Sequence, residues 1–157
     1  IPYTESADKL PAISKYYDYD EGAPGKSAQS NGITCIYRYA EVLLMYAEAS
    51  TRATNTVNQD ALNAIQEVQK RAGYQDRQIE LTTTTEPTAF LTAVSNERGW
   101  EFFAEMKRWF ELVRLEKVKE VRAEEWDAST FNTNHHYYFP VPYQQVDLAG
   151  WTNNAGY

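Results

Sequence analysis

Cysteine is nearly absent. Cys35 is the single one, so the chain cannot close an internal disulfide or build a cysteine metal clip. It sits where an apolar helix is expected to begin, which suits a buried inert thiol better than a nucleophile. Cationic charge is also short: 15 Lys and Arg stand against 22 Asp and Glu, a formal net charge of -7. A nucleic-acid footprint needs a clustered basic face, and an anionic membrane surface attracts one, so both are disfavoured. No apolar run is long enough for a signal peptide or a membrane span. The chain opens on Ile1-Pro2 without methionine, as the tail of a longer protein would, so a missing export signal excludes nothing. Phosphate-binding glycine loops, nucleophile elbows and nucleotide fingerprints are all lacking.

The 157 residues suffice for one domain that buries roughly two-thirds of its unfolded surface. Aromatics reach 14%, and 12 of them are tyrosine, whose flat face and hydroxyl serve glycan or protein surfaces as well as core rims. Residues 1–33 read as irregular, punctuated by proline and glycine, with Ile13 to Tyr19 the best extended run. A first helix is expected over Ile36 to Arg52, with Ile36, Ala40, Leu43 and Ala47 on its apolar face. A second fits Asn58 to Ala72: Asn58 caps it, Asp60 suits the first turn, and Gly73 supplies a left-handed stop. The short link between them predicts an αα-hairpin, with Ala47 and Ala61 as small residues in the manner of a tetratricopeptide unit. A third, long helix is expected from Pro87 to Lys117, carrying Leu91, Val94, Phe102, Met106, Trp109 and Val113, with a possible bend at Gly99. From Ala128 onward the pattern turns irregular, and Pro140 and Pro142 impose extended geometry.

Glu97, Glu101 and Glu105 recur every four residues, a row of like charges that costs roughly a few tenths of a kcal/mol per pair unless cations answer it. A glycosidase brings its two carboxylates from separate elements, and a helical di-metal site wants Glu-x-x-His, so one helical face serves neither chemistry. A structural ion-pair lattice fits better, built on Arg38, Glu97, Arg98, Glu101, Glu105 and Arg108, with Arg71 also in reach. His135-His136 lacks a third ligand, and in an extended segment adjacent side chains would point to opposite faces. Asp18-Tyr19-Asp20-Glu21-Gly22 opens like a calcium loop, but its glycine comes too early and no bidentate glutamate follows. No residue is a convincing catalyst, and neither cofactor nor metal is implied.

Several segments taken in chain order carry a resemblance. They are Lys15-Tyr16-Tyr17, Arg38 to Ala49 (RYAEVLLMYAEA), Val68 to Gly73, and Glu97-Arg98 through Glu101-Phe102. Arg108-Trp109-Phe110-Glu111-Leu112, Phe139-Pro140-Val141-Pro142 and Asn154-Ala155-Gly156-Tyr157 complete the order. Together they resemble the C-terminal portion of the SusD/RagB family of outer-membrane glycan-binding lipoproteins. Ala155 replaces the usual proline, Glu111 an aspartate, Gly99 a second arginine and Met106 a glycine; none is expected to disturb the fold.

The resemblance implies a mainly α fold: a tetratricopeptide-like αα-hairpin plus a long helix, packed with irregular loops. Residues 1–157 would form one SusD-like C-terminal region of a longer chain, with 1–33 irregular, 34–117 a helical core and 118–157 a helix end and extended tail. It also implies non-catalytic binding of polysaccharide or oligosaccharide at the Gram-negative cell surface, and delivery to a SusC-like TonB-dependent transporter for nutrient import. Membrane attachment would come only through a lipid anchor outside this chain, and this region would serve mainly as scaffold. Tyr19 and Trp126 are named as sugar contacts on stacking chemistry alone. The alternative from another class is a helical-repeat module that binds a protein or peptide.

Overall fold

The computed structural model describes residues 13, 15, 35–121 and 132–157. The seven helices it describes are α1 (Tyr39–Thr54), α2 (Gln59–Arg71), α3 (Pro87–Glu101), α4 (Arg108–Arg114), α5 (Val118–Val121), α6 (Thr133–His136) and α7 (Tyr143–Ala149). No strand occurs among the described residues, and most of the run from Ile13 to Tyr19 lies outside them, as does the Asp18 to Gly22 segment. The chain divides into two units, Ile1–Met106 and Lys107–Tyr157. The mainly helical fold with its αα-hairpin is the one expected.

In the first unit α1 packs along α2, and α3 lies against α1. Ala47 and Ala61 are fully buried, and such small side chains let two helix axes approach closely. Around them Leu44, Ile65, Val68, Phe90, Val94 and Phe102 complete one apolar core. The start of α1 is later than the sequence suggests. Arg38 holds an extended backbone (φ -144°, ψ 162°), so the helix opens at Tyr39 and Ile36 is left exposed. Its buried face is Leu44, Ala47 and Thr51, flanked by Glu41 and Glu48. Of the expected stripe Ala47 is buried, Ala40 and Leu43 pack partly buried against the core, and Ile36 falls outside it. Cys35, expected to be buried, is exposed for the same reason. At the other end Asn55 takes the left-handed conformation (φ 51°) that closes α1. The limits of α2 follow the expected signals: Asn58 Oδ1 accepts from the Ala61 N–H at 2.8 Å, and Gly73 turns left-handed at φ 78°.

The long third helix is the main departure. α3 begins at Pro87 as expected, with the Glu86 carboxylate accepting from the N–H groups of Thr88 (3.0 Å) and Ala89 (2.6 Å). Those two bonds hold the Glu86 carboxyl below its ordinary value. Gly99 stays helical, but α3 stops at Glu101, and the chain resumes as α4 only at Arg108. Between them Ala104 (φ 65°) and Met106 (φ 58°) are left-handed, and no continuous helix can pass through such residues. Met106 is consequently 89% exposed instead of lining the core.

The second unit buries Leu112, Val118 and the carboxylate-bearing Glu111, which accepts from Arg108 Nη1 at 3.2 Å. α4 closes through left-handed Glu116 (φ 56°), with the Lys117 N–H donating to the Leu112 carbonyl at 2.9 Å. The expected extended tail contains the short helices α6 and α7 instead. His135 and His136 therefore sit on a helical turn, where their rings stack at 4.6 Å rather than facing apart. The last residues fold back on the proline-rich step. Val141 N–H donates to Asn153 Oδ1 (2.8 Å), Asn154 Nδ2 to the Phe139 carbonyl (2.6 Å), and the Tyr157 hydroxyl to the Tyr138 carbonyl (3.1 Å). Gly156 makes this closure possible: its φ is 96°, and a Cβ there would lie 2.6 Å from Cγ of His135.

Two substitutions test these backbone readings. Gly156→Ala should lose about 2 kcal/mol of local stability, from left-handed strain plus the clash with His135. Hydrogen exchange at the Val141 amide should speed up accordingly; unchanged protection would contradict the packing. Met106→Gly should gain up to about 1 kcal/mol in urea unfolding, because glycine relieves a left-handed φ at a cost in chain entropy. A loss of stability would show that the methionine side chain has a role its exposure does not suggest.

Candidate functional site

The C-terminal end of a helix presents carbonyls without intrahelical donors, at the negative pole of its dipole. In α3 two cations occupy that pole. Lys15 Nζ donates to the carbonyls of Glu101 (2.7 Å) and Phe103 (3.1 Å) and to Glu105 Oε1 (2.6 Å). Arg38 Nη2 donates to the Glu101 carbonyl at 2.7 Å and to Glu105 Oε1 at 2.8 Å, while its Nε reaches Glu105 Oε2 at 3.1 Å. Its remaining nitrogen, Nη1, pairs with the Glu101 carboxylate, which also receives Arg71 from the end of α2. The planar fork of the guanidinium serves a carbonyl and two carboxylates at once through donors in fixed directions. Below this array the Arg38 guanidinium lies over the Phe102 ring, 4.7 Å from its centroid.

Burial alone would raise the Glu105 carboxyl, but the hydrogen bonds from Arg38 and Lys15 outweigh it and hold the group below its ordinary value. Burial likewise works against the charge on Arg38, yet Glu105 and Glu101 raise its guanidinium further above its already high value.

The expected lattice thus resolves into separate contacts. Arg38 joins Glu101 and Glu105. Arg98 lies within the core and faces Glu41 across 3.6 Å, with both side chains buried, and its guanidinium is 5.2 Å from the Phe102 centroid. Arg108 belongs to the second unit and pairs with Glu111. Glu97 meets neutral donors rather than a cation. Only 1% exposed, it accepts from the Tyr74 hydroxyl (2.8 Å) and Gln69 Nε2 (3.1 Å). Gln69 in turn ties the loop after α2 by both ends of its amide, donating to Thr82 Oγ1 and accepting from the Thr82 N–H, each at 2.9 Å. Burial first, and the hydrogen bond to charged Glu97 second, push the Tyr74 phenol well above its ordinary value.

Beside this network lies a cavity of about 560 Å³ between α3 and the loop after α2, walled by Tyr74, Arg77, Ile79, Asn96 and Trp100 over a floor containing Glu97. A second hollow of about 390 Å³ is lined by Lys15, Cys35, Arg38, Arg71 and Glu105, and shares Trp100 and Glu101 with the first. Sequence reasoning missed Trp100, Tyr74 and Gln69 as a group. The available signal was Trp100 itself, a tryptophan off the apolar stripe of its helix. Tyr19 and Trp126 lie outside the described residues. Among the described residues no three His, Cys, Asp or Glu gather as metal ligands, and no helix is long and apolar enough to cross a membrane.

Arg38→Met should destabilise the protein by about 2 kcal/mol in urea unfolding, because Glu101 and Glu105 lose their shared cation and are left with Arg71 and Lys15 alone. The pH dependence has a definite sign. A carboxyl depressed on folding stabilises above its unfolded value of about 4.3, and that stabilisation is lost as pH falls through the lower folded value. The wild type should therefore lose Tm on acidification below about pH 4, with a shallower acid limb in Arg38→Met. Equal acid slopes would mean that Glu105 is not held by this cation.

The SusD family model matches residues 2–157. SusD-like protein P25 of Formosa agariphila is 27% identical over 144 residues, 88% of this chain and 26% of that protein. SusD-like protein P2 of the same organism is 28% identical over 164 residues, covering 99% of this chain and 32% of its own length. The chain therefore spans about a quarter to a third of these curated relatives. Among solved structures, a SusD superfamily protein from Parabacteroides distasonis superposes with a TM-score of 0.65 at 30% identity, over 78% of this chain and 27% of that one. A SusD homolog from Bacteroides thetaiotaomicron gives a TM-score of 0.65 at 29% identity, over 78% and 26% of the two chains. With its helical fold, its hairpin and this family match along nearly its whole length, the chain belongs to the SusD family.

Proposed function

We propose that the protein binds glycans without chemically altering them at the outer-membrane surface of a Gram-negative cell, and passes them to a SusC-like TonB-dependent transporter. In this reading the region described acts mainly as scaffold, and a lipid anchor elsewhere in the protein supplies membrane attachment. The family match over residues 2–157 carries the proposal. The site chemistry supports its non-catalytic part: Glu97, Glu101 and Glu105 are engaged by Tyr74, Gln69, Arg38, Arg71 and Lys15, a pattern that favours a structural role over an acid–base pair. The net charge of -7 favours neutral over acidic polysaccharides.

A second reading, a helical module for a protein partner, has its own observation. Tyr39, Val42, Met45 and Tyr46 are all exposed on α1, at spacings that place them along one side of the helix.

Affinity gel electrophoresis of the complete protein tests the first reading, using glycogen, laminarin, xylan and galactomannan as neutral polymers and alginate and polygalacturonate as acidic ones. Retardation by at least one neutral polymer is expected, without release of new reducing ends. Failure of every polymer to retard the protein would reject glycan capture and favour the protein-binding module. Release of reducing ends, abolished by Glu97→Gln, would instead make it an enzyme.

A further inference from the structure

We infer that the groove between Trp100 and the loop after α2 is a subsite for a neutral sugar ring, the indole being its stacking platform. This inference rests on the glycan reading above and gives it a location that neither Tyr19 nor Trp126 supplies. The cavity, about 560 Å³, falls within the range of small-molecule sites and exceeds the space of one pyranose. Trp100 is 65% exposed on α3, so its ring contributes surface to the groove rather than to the core. The apolar C–H face of a pyranose stacks on such a ring, while its equatorial hydroxyls need donors and acceptors around the edge.

The groove supplies them. Asn96 stands one helical turn before Trp100, so its amide and the indole share a side of α3. Arg77 and Glu80 face them from the loop after α2, and Ile79 adds a second apolar wall. Arg77 and Asn96 are both exposed to solvent. The polar edge is thus available to a ligand.

The floor is stiff. Glu97 is fixed from Tyr74 and Gln69, and Gln69 clamps the loop through Thr82, so the two walls are held at their spacing before any ligand arrives. Preorganisation of that kind lowers the ordering cost of binding. Charge sets the class of sugar. Glu101 is already paired with Arg38 and Arg71, and buried Glu97 is held by Tyr74 and Gln69. Glu80 and Arg77 therefore balance at the rim, and a hexose or pentose without charge suits the groove.

The test repeats affinity electrophoresis on the complete protein with Trp100→Ala, Trp100→Phe and Asn96→Ala, using glycogen, laminarin, xylan and galactomannan. For the polymer that retards the wild type, Trp100→Ala should bind about tenfold more weakly with an unchanged melting temperature, and Trp100→Phe should recover part of the loss. Wild-type retardation by Trp100→Ala would overturn the subsite and leave the glycan reading standing. Retardation of the wild type by none of the polymers would overturn both. Should Trp100→Ala also melt early, Asn96→Ala decides: weakened binding supports the subsite, and unchanged binding removes it.

Discussion

Arg38 is the constraint on which the first unit depends. Its extended backbone delays the start of α1, and its guanidinium covers the last carbonyl of α3 while holding Glu101 and Glu105 over Phe102. One residue therefore stands where one helix begins, through its backbone, and where another ends, through its side chain. Lys15 reinforces the same pole from a different part of the chain. A helix that continued past Glu101 would keep its carbonyls for its own amides and leave these two cations without their backbone partners. The end of α3 and the charged array are one arrangement, in which dipole, carbonyls and carboxylates all face the same positive charges.

That arrangement explains what periodicity could and could not reveal. A glutamate every fourth residue beside arginines was legible as an interhelical charged network, and Arg38 and Arg71 were identifiable as answering cations. The hairpin was legible too, because Asn58, Asp60 and Gly73 mark helix ends through local chemistry that tertiary contacts do not override. The length of α3 was not. Residues 102–107 contain neither proline nor glycine, and the left-handed turn rests on Ala104 and Met106, for which no local signal exists. Its one clue was comparative: Met106 stands where the family resemblance has glycine, and the structure places that position at a φ glycine favours. The four-residue spacing likewise grouped Glu97 with Glu101 and Glu105, although Glu105 lies beyond the helix and Glu97 meets a tyrosine and an amide.

The carboxylates also show why acidic clustering alone is poor evidence of catalysis. A general acid needs a proton available near the working pH, and a nucleophile needs an accessible lone pair. Glu105 is instead pulled below its ordinary range by two cations, and Glu97 is almost sealed from water. Their burial is offset by donors placed around them, which is the requirement for keeping charge inside a fold.

The groove draws on the same network without depending on its charge. Tyr74 and Gln69 hold Glu97, and by doing so they set the distance between α3 and the loop that opposes Trp100. A scaffold and a subsite are then not competing descriptions of this region. The interior polar contacts give rigidity, while the residues that project outward from the same helix turns, Asn96 and Trp100, stay available to solvent. Rigidity matters more for sugars than for most ligands, because each hydroxyl gained from water must find a partner already in place for binding to be favourable. A wall fixed by buried bonds and faced with one exposed indole meets that requirement.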